Sequence, residues 1–483
     1  MTDTDVLIAG AGPAGLTLAI ELARRGVAYR LVDAAPGPFA GSRGKGLQPR
    51  TLEVLDDLGV LAEVLATGSP YPSIRAYAGT RVVWEGRMAE RREPTPDVPY
   101  PNIWLLPQSN TERILAARLA DLGGHVGYGV ELTSFRQDDD AVHAVLDGTR
   151  TVSTRYLVGT DGGRSRVRAG TGVGFAGETR ESERLLVADV RASGLDRVHW
   201  HTWGGSPAES VGLCPLAGTD LYQFQAALVS EDAEPTEAGV RKLFAARAAG
   251  SGVTIDEVTW VSRWRANIRL VDRMRVGRVL LAGDAAHVHP PTGGQGLNTS
   301  IQDAYNLGWK LAATLAGAGE HVLDSYHAER WPVAAGVLGI STALHDAGVR
   351  GDADAAKRDD DDLKQLTVGY PNGPLSVTDA AAGVRAGDRA PDAPLRALDG
   401  TPVRLFDAFR GPHFTVLAFG AATRCRRYAR GAPTSASSGV APTPRRSSTP
   451  TATRTRPMVP PTACSSRSAP TGTWATSAPI RPA

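Results

Sequence analysis

Cysteine is scarce in this sequence of 483 residues, in which only Cys214, Cys425 and Cys464 occur. Cysteines so few and so widely spaced exclude a disulfide framework and a cysteine-rich zinc site, and we predict no metal. Long apolar runs are also missing, because none approaches the roughly 20 residues that span a bilayer. The first residues lack the basic stretch of a signal peptide. These absences predict a protein of the cytoplasm that has no membrane partner.

Acidic residues are missing from one part of the chain only. Residues 421–483 contain ten arginines and no lysine, aspartate or glutamate. Because the whole chain carries a formal charge of +2, residues 1–420 carry −8. An acidic body argues against nucleic acid as a partner.

The same last stretch, 421–483, also lacks leucine and phenylalanine and consists mostly of alanine, proline, serine, threonine and arginine. Such a composition cannot build a core, so we predict a disordered tail. A second hypothesis is that the tail is translated out of frame, because shifted codons for Arg467–Ser477 can encode a strand-turn-strand pattern.

A glycine-rich turn joins a strand and a helix near the start of the chain. Gly10, Gly12 and Gly15 form G-x-G-x-x-G directly after the apolar residues Val6–Ala9. Glycines at this spacing let a pyrophosphate approach the N-terminus of the helix. Asp33, at the end of the next strand, is placed to bind a ribose. This unit predicts a Rossmann-like α/β domain that binds NAD or FAD.

A second strand end decides between these two dinucleotides. The segment Arg278–Asn298, RVLLAGDAAHVHPPTGGQGLN, leads from a strand into a turn crowded with an acid, histidines, prolines and glycines. Asp284 is placed to bind ribityl hydroxyls, and the glycines let backbone N–H groups approach a flavin ring. A helix that begins near Asn298 would stabilise negative charge on a reduced flavin. The predicted cofactor is therefore FAD.

Three motifs in this order, GAGPAG, GTDGGRSRVR and GDAAHVHPPTGGQGLNTSIQDAYNLGWKLA, resemble those of the FAD-dependent aromatic hydroxylases, the group A flavoprotein monooxygenases. Within that family the chain is most similar to bacterial enzymes that hydroxylate polyketides and rifamycins, over about residues 5–420. The resemblance implies that FAD is held by Gly10, Gly12, Gly15, Asp33, Arg43, Gln48, Gln108, Asp161, Gly162, Asp284, Gly294, Gly296, Leu297 and Asn298.

The resemblance also implies the reaction. NADPH or NADH docks transiently and reduces FAD, and O2 then gives a flavin hydroperoxide that hydroxylates an aromatic ring. His289, Pro290 and Pro291 match the loop that faces the flavin and are the predicted catalytic residues. His287 and His289 either help to ionise a phenol or only order this loop through hydrogen bonds. Arg50 either approaches the nucleotide or forms a salt bridge in the following helix.

Short alternating segments between about residues 175 and 275 predict an antiparallel sheet that is inserted into the first domain. Aromatic residues at alternating spacing are usual in the core of a sheet, but some are expected to face a flat substrate. The candidate substrate contacts are Trp200, Trp203, Phe224 and Trp264.

The predicted fold class is therefore α/β, with a Rossmann-like FAD-binding domain, an inserted antiparallel-sheet substrate domain and an incomplete thioredoxin-like C-terminal domain. The predicted boundaries are 1–175 with 276–384 for the FAD-binding domain, 176–275 with contributions from about 70–110 for the substrate domain, and 385–420 for the start of the third. We expect a monomer or homodimer that hydroxylates a bulky aromatic molecule. The alternative is a catalytically idle protein that binds flavin and sequesters an aromatic drug, or the product of a damaged gene.

Overall fold

A computed structural model describes residues 2–228, 234–352, 355, 357–377, 383–397 and 399–417. The strands in these residues are β1 (Thr4–Ala9), β2 (Tyr29–Asp33), β3 (Gly46–Leu47), β4 (Ser69–Pro70), β5 (Ser73–Ala78), β6 (Arg81–Gly86), β7 (Trp104–Leu105), β8 (Val126–Tyr128), β9 (Leu132–Gln137), β10 (Val142–Leu146), β11 (Arg150–Gly159), β12 (Phe175–Ser193), β13 (His199–Trp203), β14 (Val211–Pro215), β15 (Tyr222–Leu228), β16 (Thr254–Val271), β17 (Arg275–Val276), β18 (Val279–Leu281), β19 (His287–Val288), β20 (Pro394–Arg396) and β21 (Pro402–Arg404). The helices are α1 (Pro13–Ala23), α2 (Pro49–Leu58), α3 (Leu61–Thr67), α4 (Gln108–Asp121), α5 (Arg166–Thr171), α6 (Glu237–Arg247), α7 (Gly296–Leu315), α8 (Glu320–Val349) and α9 (Leu405–Phe409). The predicted tail, with Cys425 and Cys464, lies outside the described residues.

The first sheet carries the glycine-rich turn. Its strands follow the order β17–β18–β11–β1–β2–β8, and β18, β11, β1, β2 and β8 run parallel. The β9–β10 hairpin joins β11 in antiparallel pairing. Val6, Leu7 and Ile8 are fully buried, as expected for a parallel strand with both faces covered. The carboxyl ends of β1, β2, β11 and β18 meet at one edge, where ligands bind in open α/β sheets.

The second sheet is antiparallel except for one pair. Its order is β19–β16–β12–β15–β14–β13–β5–β6, and only β13 and β5 run parallel within it. The long strands β12 and β16 pair along most of their length, from Phe175 opposite Val271 to Ser193 opposite Thr254. Successive residues of a strand point to opposite faces of the sheet, and residues at alternate positions share one face.

The two faces of this second sheet have different neighbours. Asp189, Gln223 and Cys214 lie opposite one another on β12, β15 and β14 and share one face. We call it the loop face, because hydrogen bonds join it to residues 42–45. Phe224 points to the other face, the α6 face, and packs in a buried apolar cluster with Phe244 of α6.

The residues after α8 pack on the first domain. Strands β20 and β21 form an antiparallel hairpin that is followed by α9. Arg389 contacts Glu53, Arg410 contacts Asp56 at 2.6 Å, and Gly411 donates to Asp57, all on α2. The predicted thioredoxin-like domain and the domain boundaries stay predictions. No helix in the described part of the chain combines the length and apolarity needed to cross a bilayer.

Candidate functional site

The three glycines of the first turn differ in what surrounds them. Gly10 has φ +105°, and a Cβ on it would lie 2.3 Å from the Thr160 carbonyl oxygen. A Cβ on Gly15 would lie 1.9 Å from the Gly10 oxygen, whereas one on Gly12 would have no atom within 4 Å. Gly10 and Gly15 are therefore required for backbone packing, while Gly12 borders open space at the N-terminus of α1, which suits a phosphate group.

Asp33 lies at the end of β2 and holds the same turn. Its Oδ2 accepts a hydrogen bond from the Ala11 N–H at 2.6 Å, and its Oδ1 accepts one from Ala35 at 2.8 Å. The carboxylate is half-buried, so Asp33 retains an accessible side beside the open space at Gly12.

Gln108, at the start of α4, connects two of these regions. Its Nε2 donates to Glu112 Oε1 at 2.8 Å, and its Oε1 accepts from the Gly44 N–H at 3.3 Å. Burial, reinforced by the nearby charge of Asp33, raises the pKa of Glu112 to about 7. Glu112 was missed in the sequence, where the only available signal was an acid on the buried side of a predicted helix.

Asp161 and Gly162 form the turn after β11. Asp161 Oδ2 accepts hydrogen bonds from the N–H groups of Arg166 and Val167, at 2.8 and 3.1 Å, and thereby caps α5. Its other oxygen, Oδ1, is buried and has no hydrogen-bond partner in the described part of the chain, and burial raises the pKa of this carboxyl. Gly162 has φ +77°, a conformation that favours glycine. Asp161 therefore offers one oxygen to a ligand.

Asp284 follows β18 in the crowded turn. Its side chain is exposed, yet the surrounding protein desolvates the carboxyl and raises its pKa. The positive charges of His287 and Arg43 lower that pKa, but by less than desolvation raises it. Together these two facts indicate a carboxylate in a concave part of the surface. Arg43 is exposed as well, with its guanidinium 5.7 Å from the Phe39 ring centroid.

Gln48 and Asn298 join the crowded turn to the loop before α2. The Gln48 N–H donates to Asn298 Oδ1 at 2.8 Å, and Gln48 Nε2 donates to the Gly293 oxygen at 3.0 Å. Asn298 Nδ2 donates to the oxygen of Gly294, which has φ +65°. Gln48 Oε1 is buried and has no partner. Leu297 is half-buried beside this loop.

His287 belongs to a buried ion cluster that we call the Asp303 cluster. Asp303 Oδ2 accepts hydrogen bonds from His287 Nε2 at 2.7 Å and from the Gly283 N–H at 3.1 Å. Its Oδ1 accepts one from Arg330 Nε at 2.7 Å. Burial alone would raise the pKa of Asp303, but Arg330 and His287 hold it below its ordinary value. This contact favours the loop-ordering hypothesis for His287. Asp303 and Arg330 were not identified from the sequence, because the cluster forms between residues distant in the chain.

His289, Pro290 and Pro291 lie in the turn before α7. His289 Nδ1 is 2.9 Å from the Pro290 oxygen, and because a carbonyl only accepts, Nδ1 carries the proton. Burial lowers the pKa of His289 to about 4, so its Nε2 is an unprotonated acceptor near neutral pH. That atom is buried, has no partner within the described ranges, and lies near Gly296, the first residue of α7. Pro290 is buried and Pro291 exposed.

The four predicted substrate contacts divide between the two faces of the second sheet. Trp200 and Trp264 belong to the loop face, where Trp264 is half-buried and 6.3 Å from the His345 ring. Trp203 and Phe224 lie on the α6 face and are almost fully buried in its apolar cluster. These positions give Trp203 and Phe224 a packing role and do not support substrate contact.

The remaining candidates have simpler surroundings. Arg50 is buried and forms a salt bridge with Glu53 at 2.6 Å in α2, as the second hypothesis for it predicts. Cys214 is a buried free cysteine. Across the described ranges, no group of histidine, cysteine and acidic side chains is arranged to hold a metal ion.

Comparison with known proteins finds likeness over most of the chain. A family model described as FAD binding domain matches residues 3–341. The chain is 49% identical over 428 residues to a flavin-dependent monooxygenase of Mycobacteroides abscessus, over 86% of this chain and 88% of the relative. It is 40% identical over 339 residues to a rifampicin monooxygenase of Streptomyces venezuelae, over 69% of each chain. The crystal structure of aklavinone-11 hydroxylase with FAD and aklavinone has a TM-score of 0.72 at 27% identity, over 84% of this chain and 82% of that one.

Proposed function

The chain belongs to the family of FAD-dependent aromatic hydroxylases, and from this premise we propose that it hydroxylates a bulky polycyclic substrate of the polyketide or rifamycin class. It is a flavin-dependent monooxygenase, and its cofactor is FAD. The proposal includes NADPH or NADH as the transient reductant and O2 as the oxidant. The observation that carries it is a half-buried, aromatic sheet face close to the turn of residues 289–295, since His345 contacts both Trp264 and Thr292.

The residues at the edge of the first sheet fit FAD. Gly12 leaves space for the pyrophosphate, and Asp33 has an accessible side for a ribose. Asp284 is an exposed acceptor, and within the described residues Asp161 Oδ1 and Gln48 Oε1 are buried acceptors without a donor. FAD carries hydroxyl and N–H donors, so its binding would satisfy buried groups that otherwise cost free energy. We propose that the predicted set of cofactor residues holds FAD in this way.

FAD, when bound, would accept hydride and activate oxygen. The protein contributes the environment. Helix α7 begins at Gly296, so its positive N-terminal end favours negative charge at the turn of residues 289–295. His289 donates its Nδ1 proton to the Pro290 oxygen and presents its Nε2 lone pair. We propose that Nε2 accepts a hydrogen bond during the reaction and that Pro290 and Pro291 exclude water.

The substrate is proposed to lie on the loop face of the second sheet. Leu185, Gln225 and Trp264 are half-buried there, and large flat ligands bind in pockets of this mixed apolar and polar kind. Relatives named for rifampicin and aklavinone act on large fused-ring molecules, which supports the same size class here. A cytoplasmic location, where NAD(P)H is available, and a monomer or homodimer complete the proposal.

The test begins with the purified protein and its visible spectrum. NADPH and NADH oxidation are followed with and without a panel of polycyclic phenols and rifamycins. We expect one aromatic compound to accelerate oxidation and to give a product that is one oxygen atom heavier. Bound FAD and bound ligand without consumption of NADPH or NADH would instead support the sequestering alternative.

A further inference from the structure

Lys45 is a buried ammonium group whose close contacts are neutral. Its side chain lies on the loop face, where Nζ is 2.6 Å from Gln223 Oε1 and 4.1 Å from the Trp200 ring centroid. Only 7% of Lys45 is exposed, and the described residues place no carboxylate at salt-bridge distance from it. A buried cation without a counter-ion is unfavourable, and burial accordingly lowers the pKa of Lys45. An anion that reached Nζ would be stabilised.

The nearest acid does not fill this role. Asp189 lies on the neighbouring strand β12 and accepts a hydrogen bond from the Ser42 hydroxyl. Burial raises the pKa of Asp189 to about 6, so its carboxylate is mostly ionised at pH 7, but it acts on Lys45 only from beyond salt-bridge distance. The other titratable groups near Lys45 are the buried thiol of Cys214 and, beside that thiol, the phenol of Tyr71. Burial raises the pKa of both, so neither supplies a negative charge near neutral pH.

Trp200 contributes a second donor at the same place. Its Nε1 is buried and has no hydrogen-bond acceptor among the residues that the structure describes. A Cβ on Gly212 would lie 2.9 Å from Nε1, so the missing side chain of Gly212 makes room for the indole. Gly212 pairs with Gln225, which is half-buried. The unused N–H lies in the interior of the loop face, next to Gly212.

We propose that Lys45 Nζ and the Trp200 N–H bind an acidic oxygen of the aromatic substrate, a phenolate or an enolate. The inference rests on the proposed hydroxylase function and narrows its substrate class to flat molecules with an ionised hydroxyl. Lys45 lies between Arg43 and Gln48, both predicted to contact FAD. An oxygen bound at Lys45 would thus lie on the same loop as two of the residues proposed to hold FAD. The proton of the hydroxyl is released to solvent.

The experiment uses the full-length holoprotein and 1,2-dihydroxyanthraquinone, whose absorption moves to longer wavelength when a hydroxyl ionises. Its dimethyl ether is the matched ligand that cannot ionise. The variants are Lys45→Met and Trp200→Phe, which remove one donor each, and Lys45→Arg, which keeps the charge. Lys242→Met, an exposed lysine on α6, is the control. FAD content is recorded for each protein, because a merely structural role would lower it.

We expect the wild-type protein to bind the phenol more tightly than the ether and to shift its absorption to longer wavelength. Lys45→Met should remove the shift and weaken phenol binding about tenfold, as the loss of a charge-assisted hydrogen bond requires, while ether binding changes less than about twofold. Lys45→Arg should restore part of the shift, and Trp200→Phe should have a smaller effect.

Three results would overturn the proposal. The first is that the wild-type protein binds the phenol and the ether equally, and the second is that it does not shift the absorption of the phenol. The third is that the Lys45→Met protein still shifts that absorption. A different result would contradict the proposed hydroxylase function, namely that no aromatic compound accelerates NAD(P)H oxidation by the FAD-loaded wild-type protein. Turnover of ethers and phenols alike would therefore contradict the role of Lys45 and leave the hydroxylase function standing.

Discussion

Two buried polar clusters hold the turns assigned to FAD, and they differ in how their charges are balanced. The Asp303 cluster places one carboxylate against Arg330 and His287 at 2.7 Å each. The second, the Lys45 cluster, consists of Lys45, Gln223 and Asp189 and has no ion pair at such a distance among the described residues. Both clusters are buried beneath loops of the same predicted site, so a difference in burial does not explain the difference in charge balance.

The difference indicates what each cluster does. A buried network whose donors and acceptors are all used fixes the structure around it. The Asp303 cluster is nearly of this kind and ties the turn after β18 to α7 and α8. A network whose buried cation has no salt bridge and whose second donor is unused is unfavourable until a ligand completes it. The comparison therefore predicts that mutations in the first cluster destabilise the fold, whereas mutations in the second alter ligand binding without destabilising it.

The largest expected effect comes from Asp303→Asn. The substitution leaves Arg330 as a buried cation without its partner, so we expect the free energy of unfolding to fall by about 3–5 kcal/mol. Urea unfolding of the variant at pH 7 measures this, with the exposed Asp272→Asn as control. Because the pKa of Asp303 is depressed, its contribution is present above the ordinary value of 3.8 and is lost as the pH falls below it. A loss under 1 kcal/mol would remove the distinction between the clusters.

Asp189→Asn should act in the opposite direction. The pKa of Asp189 is about 6 in the folded protein against an ordinary 3.8, so the folded state loses stability as the pH rises through 6. Asparagine removes that loss, and the variant should be more stable than the wild type by up to about 3 kcal/mol at pH 8. The gain should vanish at pH 4. Unfolding midpoints at the two pH values test this, and a variant that is less stable at pH 8 would contradict it.

The sequence identified those parts of the site that lie within short segments. The family, the α/β fold class and FAD are confirmed by the comparisons. The motif residues Gly10, Gly12 and Gly15 form the expected turn, because their spacing fixes the local geometry of strand, turn and helix. Their contacts with FAD stay predictions.

What the sequence could not reveal depends on contacts between distant segments. Arg330 meets Asp303 only because α8 packs on α7, and no spacing in the chain signals that contact. Trp203 and Phe224 were chosen as aromatic residues of the predicted sheet, but only the register of β13, β14 and β15 shows that they point away from the loop face. A shift of one residue in that register would have reversed the assignment.

The loop face offers a third test at Trp264. Replacing this half-buried tryptophan with alanine should weaken binding of 1,2-dihydroxyanthraquinone by about tenfold or less, since a stacked aromatic contact contributes roughly 1 kcal/mol. The free energy of unfolding should change little. Trp84→Ala is the control, because Trp84 is exposed on β6 at the far edge of the same sheet. Equal loss of binding in the two variants would show that the loop face is not the binding surface.

The glycines of the first turn show a similar contrast, because Gly15 is tightly packed and Gly12 borders open space. The smallest effect of a substitution is expected at Gly12. Gly12 has φ −69° and open space at its Cβ position, so Gly12→Ala should change the free energy of unfolding by less than about 1 kcal/mol. The added methyl occupies the space assigned to the pyrophosphate, and FAD affinity should therefore fall about three- to fivefold, as fluorescence titration of the FAD-free protein would measure. Gly15→Ala should instead impair folding, because its Cβ meets the Gly10 oxygen. Unchanged FAD affinity in Gly12→Ala would place the pyrophosphate elsewhere.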